Sequence, residues 1–266
     1  MKSKPTLVVL TSNALRHRYV ANRLIENFDV LGVISEVKRA LKQGETVEEN
    51  AIIAQHSRER DEKEKLYFGK ETKFNLPADK ILNVEYGGAN SPEVFKLVSD
   101  LKPDLIALFG TSIIKDPLLS AYDNKIVNMH LGLSPYYRGS ATGFWPLVFN
   151  EPECVGVTVH LAILKVDAGA ILGQVRPNIS ANDDSHDFGY KTIIAGADLM
   201  IRCVRDYFAG KIQPKSQHPG VGKLFKHKDF NAQAVIKMKE NFANGMMDEY
   251  LKNKPARDTR YPIIEI

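Results

Sequence analysis

Apolar residues in this chain come in short dense runs separated by amphipathic stretches. Residues 6–12, TLVVLTS, are apolar at most positions and are bounded by Pro5 and by Ser12-Asn13. Such a run predicts a buried strand. Leu15, Tyr19, Val20, Leu24 and Phe28 then recur near the helical period, and 29–35 (DVLGVIS) is another strand-like run. Strand, helix and strand within about thirty residues make a βαβ unit, the opening of a doubly wound sheet. Residues 91–103 carry a Ser-Pro helix start and a stop at Pro103. Strands follow at 104–110 and 125–130, with a short helix at DPLLSAY between them. A helix and turn are expected over 141–153. Two strands, 154–164 and 170–179, flank the turn KVDAG, and 185–211 predicts a long helix ending at Gly210. The pattern is α/β: a doubly wound, Rossmann-like catalytic unit over 1–211 and a small C-terminal extension over 212–266. Within that extension only AQAVIKMKENF has a clear period.

Residues 45–73 break the rhythm. Both signs of charge crowd there with few apolar anchors, which predicts an exposed helix packed on the edge of the domain. That segment and the C-terminal tail are the candidate contacts of a homodimer. The chain has 266 residues and a net charge of +4. This charge is below the excess of a dedicated nucleic-acid binder and suits a small anionic substrate. No apolar run is long enough for a membrane helix, and Leu7–Leu10 is too short for a secretory signal. The two cysteines, Cys154 and Cys203, form no CxxC. These features predict a reduced cytoplasmic protein. No His, Cys, Asp or Glu group has metal-ligand spacing in the sequence, so no metal is expected.

The most informative stretch is IVNMHLGLSPYYRG, 126–139. Asn128 and His130 lie two apart on a strand and therefore project to one side. They do so at its carboxyl end, where open α/β sheets bind ligands. An Asn amide can donate to a carbonyl oxygen, and a His can exchange a proton near neutral pH. Together they suit attack of an amine on a carbonyl, which develops an oxyanion and sheds a proton. Asp167, in the tight turn KVDAG, is the carboxylate that could orient the His. Residue types alone leave the plainer reading open: a satisfied core histidine and a turn-forming aspartate.

The segments NMHLGLSPYYRGSATGFWPLV and GVTVHLAILKVDAGAILGQ resemble the folate-dependent formyltransferases, most closely in kind the sugar N-formyltransferases of surface-polysaccharide synthesis. The matching residues are Asn128, His130, Pro135, Tyr137, Arg138, Gly139, Gly156, Thr158, Asp167, Gly169 and Gln174. The resemblance is clear over about residues 100–180. It implies N10-formyltetrahydrofolate as formyl donor. Asn128 would hold the formyl oxygen, His130 would stabilise the oxyanion, and Asp167 would fix His130 and relay the proton. Phe109, Gly110, Thr111, Ile113, Arg138, Leu164 and Val166 would line the donor site.

The acceptor implied is a primary amine of a nucleotide-linked amino sugar. Asn13, Arg16 and His17 would meet hydroxyl and pyrophosphate, and Tyr136 or Tyr190 would stack on sugar or base. Glycinamide ribonucleotide is an alternative acceptor, but the loop after the first strand lacks the glycines of a phosphate cradle. Methionyl-tRNA is another. Its enzymes normally carry a β-rich basic C-terminal domain, for which residues 212–266 are short and poor in alternating strands. A formyltetrahydrofolate hydrolase, or a non-catalytic folate or nucleotide-binding protein, remains the alternative of another class.

Overall fold

A computed structural model describes residues 4–38, 44–218 and 222–266. The strands are β1 (Thr6–Ser12), β2 (Asp29–Glu36), β3 (Ile81–Val84), β4 (Leu105–Leu108), β5 (Ile126–His130), β6 (Tyr137–Gly139), β7 (Val157–Leu161), β8 (Ile171–Val175) and β9 (Lys223–Phe225). The helices are α1 (Leu15–Asn27), α2 (Val47–Phe68), α3 (Pro92–Leu101), α4 (Leu118–Ala121), α5 (Trp145–Val148), α6 (Ser185–Phe208), α7 (Ala232–Ala243), α8 (Met246–Lys252) and α9 (Lys254–Thr259).

Seven strands form one sheet in the order β3-β2-β1-β4-β5-β7-β8. The first five are mutually parallel, and β7 then runs antiparallel to both β5 and β8. Both faces are covered, so strand residues of either parity are apolar. In β1, Leu7 and Val9 enter a core beneath α1 and α6, whereas Val8 and Leu10 enter the opposite core with α3 and α4. The doubly wound α/β architecture expected from the apolar runs is the one found, with an antiparallel edge added.

Helix boundaries follow local chemistry. Ser91 caps α3 by accepting the Val94 N–H, Pro92 occupies the first turn, and Lys102 ends it in the left-handed region at φ 47°. Thr46 and Glu49 form a capping box on α2, and Asp184 and Asp187 form one on α6. Helix α2 is the charged segment of the sequence. It buries only Ile53, His56, Glu64 and Phe68, so it is held to the domain largely by polar contacts.

Several predicted elements are shorter than their apolar runs. The run from 141 yields only the single turn α5, because Ala141 and Asn150 take positive φ on either side of it. The strand expected from 154 starts at Val157, because Pro152–Cys154 closes a 3₁₀ turn. The one expected over 170–179 ends at Val175. Residues 212–266 contribute the helices α7 to α9 and the strand β9, which pairs in parallel with β6. Ala234, Met238, Met246, Met247 and Tyr250 share a third apolar cluster with Tyr137, Trp145 and Phe188. No helix among the described residues is long and apolar enough to cross a membrane.

Candidate active site

Strand β5 sorts its side chains by parity. Val127 and Met129 enter the core beneath α6, and Asn128 and His130 project from the other face. Opposite them, the antiparallel register pairs Asn128 with His160 and His130 with Thr158. Residues directly opposite in such a pair share a face, so four polar side chains meet there. Asp167 comes from the loop between β7 and β8 and stands at φ 49°, a conformation an aspartate tolerates better than most residues.

His130 is 7% exposed. Its Nδ1 lies 3.3 Å from Asp167 Oδ2. Its Nε2 lies 3.1 Å from the Tyr137 carbonyl oxygen and 3.3 Å from Thr142 Oγ1. Thr142 gives its own proton to the Leu131 carbonyl at 2.6 Å. Both ring nitrogens therefore face acceptors. Burial lowers the His130 pKa below its ordinary value, and the Asp167 carboxylate pulls against that.

Burial would raise the Asp167 pKa, but His130 first, then His160 and the Gly139 N–H, hold it well below the usual carboxylate range. The Gly139 N–H donates to Oδ2 at 2.8 Å. At neutral pH the site thus holds an ionised, orienting aspartate beside a histidine whose burial disfavours charge. The pair is primed to stabilise charge that develops near it.

His160 is the residue that sequence reasoning missed. Its Nδ1 donates to its neighbour's carbonyl, Leu161 O, at 2.9 Å. In the neutral ring Nε2 must then accept, and Asn128 Nδ2 donates to it at 3.0 Å. The same Nε2 lies 3.5 Å from Asp167 Oδ1. His160 thereby fixes the Asn128 amide with its nitrogen end in the site, leaving a second N–H to donate. The available signal was the alternation in GVTVHL, which puts Thr158 and His160 on one face. Linking His160 to Asn128 required the hairpin register. Thr158 and Gln174 brace the loop behind: Thr158 Oγ1 accepts the Ser134 N–H at 2.8 Å, and Gln174 Nε2 donates to Ser134 O at 2.7 Å.

The residues suggested for the donor site fall into two groups. Ile113 and Leu164 are 57% and 65% exposed, apolar side chains presented to solvent, and Thr111 and Val166 are half-buried. Arg138 is half-buried on β6, and its Nε has no hydrogen-bond partner. Phe109, by contrast, is a core residue whose ring lies 5.1 Å from that of His17. Gly110 stands at φ +77°, and a Cβ there would fall 2.3 Å from His17 Nε2. Its glycine is thus explained by the close approach of His17 as well as by its φ.

The residues suggested for the acceptor are mostly engaged elsewhere. Asn13 is exposed. Arg16 is not a free cation: its guanidinium meets Glu64 at 2.7 Å, with both side chains largely buried. His17 is 2% exposed, and burial first, then Arg16 and Lys38, push its pKa well down. Tyr190 is packed among Tyr67 and Phe68 with its hydroxyl on the Arg60 carbonyl, so its ring faces the core and is not free to stack. Tyr136 lies edge-on to Tyr261, and its hydroxyl donates to Pro262 O. Burial and long-range partners, invisible in a linear sequence, account for these differences.

The fold has solved counterparts. Phosphoribosylglycinamide formyltransferase from Anaplasma phagocytophilum matches with a TM-score of 0.57 at 17% identity, over 84% of this chain and 98% of that one. An N-formyltransferase from Helicobacter canadensis, solved with folinic acid and dTDP-3-aminofucose, matches with a TM-score of 0.55 at 16% identity, over 90% of this chain and 80% of that one. At such identities the likeness concerns the fold. In sequence, methionyl-tRNA formyltransferase of Enterococcus faecalis is 38% identical over 131 residues, which is 48% of this chain and 41% of that protein. The chain thus spans less than half the length of the curated relatives it matches. The model of the formyl transferase family matches residues 11–204, which include Asn128, His130, His160 and Asp167. By that match across most of its length, the chain belongs to the formyl transferase family.

Proposed function

We propose that the protein transfers a formyl group from N10-formyltetrahydrofolate to the primary amine of a nucleotide-linked amino sugar. The observation that carries the transfer chemistry is the Asp167–His130 contact at 3.3 Å, on the strand face that also presents Asn128. The donor supplies an activated formyl carbon attached to nitrogen. The exposed apolar side chains of Ile113 and Leu164 suit a flat heteroaromatic group. The free N–H of Asn128 suits its formyl oxygen.

The residues then divide the work. Asn128 donates to the oxygen on which negative charge develops, held in that sense by His160. His130 sits beside the same charge, and its gain of positive character is supported by Asp167. Asp167, ionised throughout, orients the imidazole and supports its charge while His130 relays the proton that the attacking amine gives up. Preorganised donors of this kind are each worth about 3–4 kcal/mol of barrier when removed.

The acceptor reading rests on two features. The described part of residues 212–266 folds as three α-helices and one short strand against the catalytic unit, and the net charge of these 266 residues is modest. Methionyl-tRNA is the second reading, favoured by the 38% identity to the Enterococcus enzyme. One experiment separates them. The protein is incubated with N10-formyltetrahydrofolate and tetrahydrofolate release is followed. The acceptors are dTDP- and UDP-linked amino sugars, glycinamide ribonucleotide or charged initiator tRNA, with a control lacking acceptor. Release only with an amino-sugar nucleotide is expected. Release only with tRNA or only with the ribonucleotide overturns the acceptor, and release without any acceptor makes the protein a hydrolase.

A further inference from the structure

A second cluster of ionisable groups lies outside the candidate active site. His56 and Glu59 stand three residues apart on α2 and so share a helix face. His186, in the first turn of α6, comes against them with its ring centroid 4.7 Å from that of His56. One nitrogen of each imidazole and a carboxylate oxygen of Glu59 all lie within 4.8 Å of one another. His56 is only 8% exposed. Nδ1 of His56 and Nε2 of His186 are both buried without a hydrogen-bond partner. A buried polar atom left unpaired costs about 1–3 kcal/mol, and two occur in one cluster.

We propose that His56, Glu59 and His186 form a binding site for a divalent transition-metal ion, with Zn²⁺ the best match to two imidazoles and one carboxylate. Three protein ligands and an open fourth position are a familiar zinc arrangement. A tetrahedral ion bound at about 2.1 Å needs ligand atoms roughly 3.4 Å apart, so atoms now within 4.8 Å of one another would draw together on binding. A surface cleft of about 470 Å³, lined by Glu59, His186, Lys239 and Phe242 among others, gives access for the ion and a water ligand.

The surroundings are those of a held carboxylate. Lys239 Nζ lies 3.0 and 2.9 Å from the two oxygens of Glu59, and Gln55 Nε2 donates to Oε1 at 2.9 Å. Each oxygen can still offer a lone pair to a metal, and such outer contacts orient ligands. Lys239 and Arg60 oppose a cation here, whereas Asp184 and Glu59 favour it. An ion here would tie α2 to the start of α6 and, through Lys239, to α7. The sequence hides the site, because His186 joins the H-x-x-E pair of α2 only in the fold.

The test uses the whole chain, stripped of metal and titrated with Zn²⁺ against a chromophoric chelator, with Co²⁺ absorption as a second probe. It is independent of formyl transfer. One ion per chain at micromolar affinity or tighter is expected, with a rise in the melting temperature. His56→Gln, His186→Gln and the solvent-accessible Glu59→Gln should each weaken binding at least tenfold, whereas His218→Gln should leave it unchanged. Circular dichroism checks the fold of each variant, and Glu59→Gln keeps the test open if a histidine variant does not fold. Absence of stoichiometric binding overturns the proposal. So does binding that the His56, Glu59 and His186 variants leave intact, which would place the ion elsewhere.

Discussion

Asp167 combines two demands that rarely meet in one residue. It turns the chain at φ 49° and keeps a charge among two imidazoles. Asp167→Asn retains the turn but loses the charge, and it sets an amide where the Gly139 N–H now finds an acceptor. The expected result is a fall in kcat of roughly 10²–10⁴ with an unchanged circular dichroism spectrum, by analogy with other orienting carboxylates. Near-normal turnover would remove Asp167 from the mechanism. His160→Phe fills the same space without the acceptor nitrogen, freeing the Asn128 amide to turn over. A loss of about 10- to 100-fold in kcat with little change in KM is expected, the size typical of lost orienting contacts. A fold defect would lower the active fraction and so mimic this kinetic signature; circular dichroism and a thermal melt of the variant separate the two. The two-residue strand spacing and the glycine-bearing turn are local features that singled out Asn128, His130 and Asp167, the resemblance to formyltransferases gave them their roles, and the fold places His130 3.3 Å from Asp167. His160 was not legible in this way, since its role depends on cross-strand register. The engagement of Arg16 and Tyr190 was hidden for a related reason: Glu64 and the aromatic neighbours that hold them lie far along the chain.

At the level of elements, α2 behaves unlike the other long helices. It has almost no apolar stripe and is secured by side chains such as Glu64, Lys63 and Tyr67, the last two reaching Asp187. Glu64 accepts from both the backbone and the side chain of Arg16, at 2.8 and 2.7 Å. Glu64→Leu leaves Arg16 charged, largely buried and unpaired. A loss of about 3–5 kcal/mol in unfolding free energy is expected. Chemical denaturation measures it, and adding Arg16→Met should recover part of the loss. A cost below about 1 kcal/mol would mean that the pair is effectively solvated. The apolar runs announced most of the strands because both faces of a parallel sheet are buried. Their exact ends escaped prediction, since left-handed residues such as Ala141 and Asn150 and the 3₁₀ turn at Pro152–Cys154 decide where regular structure stops.

For the whole molecule, protonation sets the stability profile. His17, His56, His130 and His186 all have pKa values lowered by burial, His56 to about 4. The unfolded chain takes up these protons near pH 6.5, and the folded chain resists until lower pH. Between those limits the unfolded state binds more protons, so stability is full above about pH 6.5 and falls as the pH drops toward 4. Ionised carboxylates held low, Asp167 among them, extend the loss below that. The melting temperature of metal-free protein should decline steadily from pH 7 to 4, with a shallower slope in His56→Gln. A flat profile would contradict the burial of these imidazoles. Ile264 reaches back to β8. Gln174 donates its backbone N–H to Ile264 O at 2.6 Å and receives the Ile264 N–H at 3.1 Å, while its amide holds the Ser134 and Thr158 side of the site. These partners lie 90 residues apart. During synthesis at about 5–20 residues per second, roughly 5–20 s separate the appearance of Gln174 from that of Ile264. On the ribosome, therefore, the proposed catalytic face is assembled in outline well before this brace exists, and a nascent chain paused in that interval would carry Asn128, His130 and Asp167 without the support behind them.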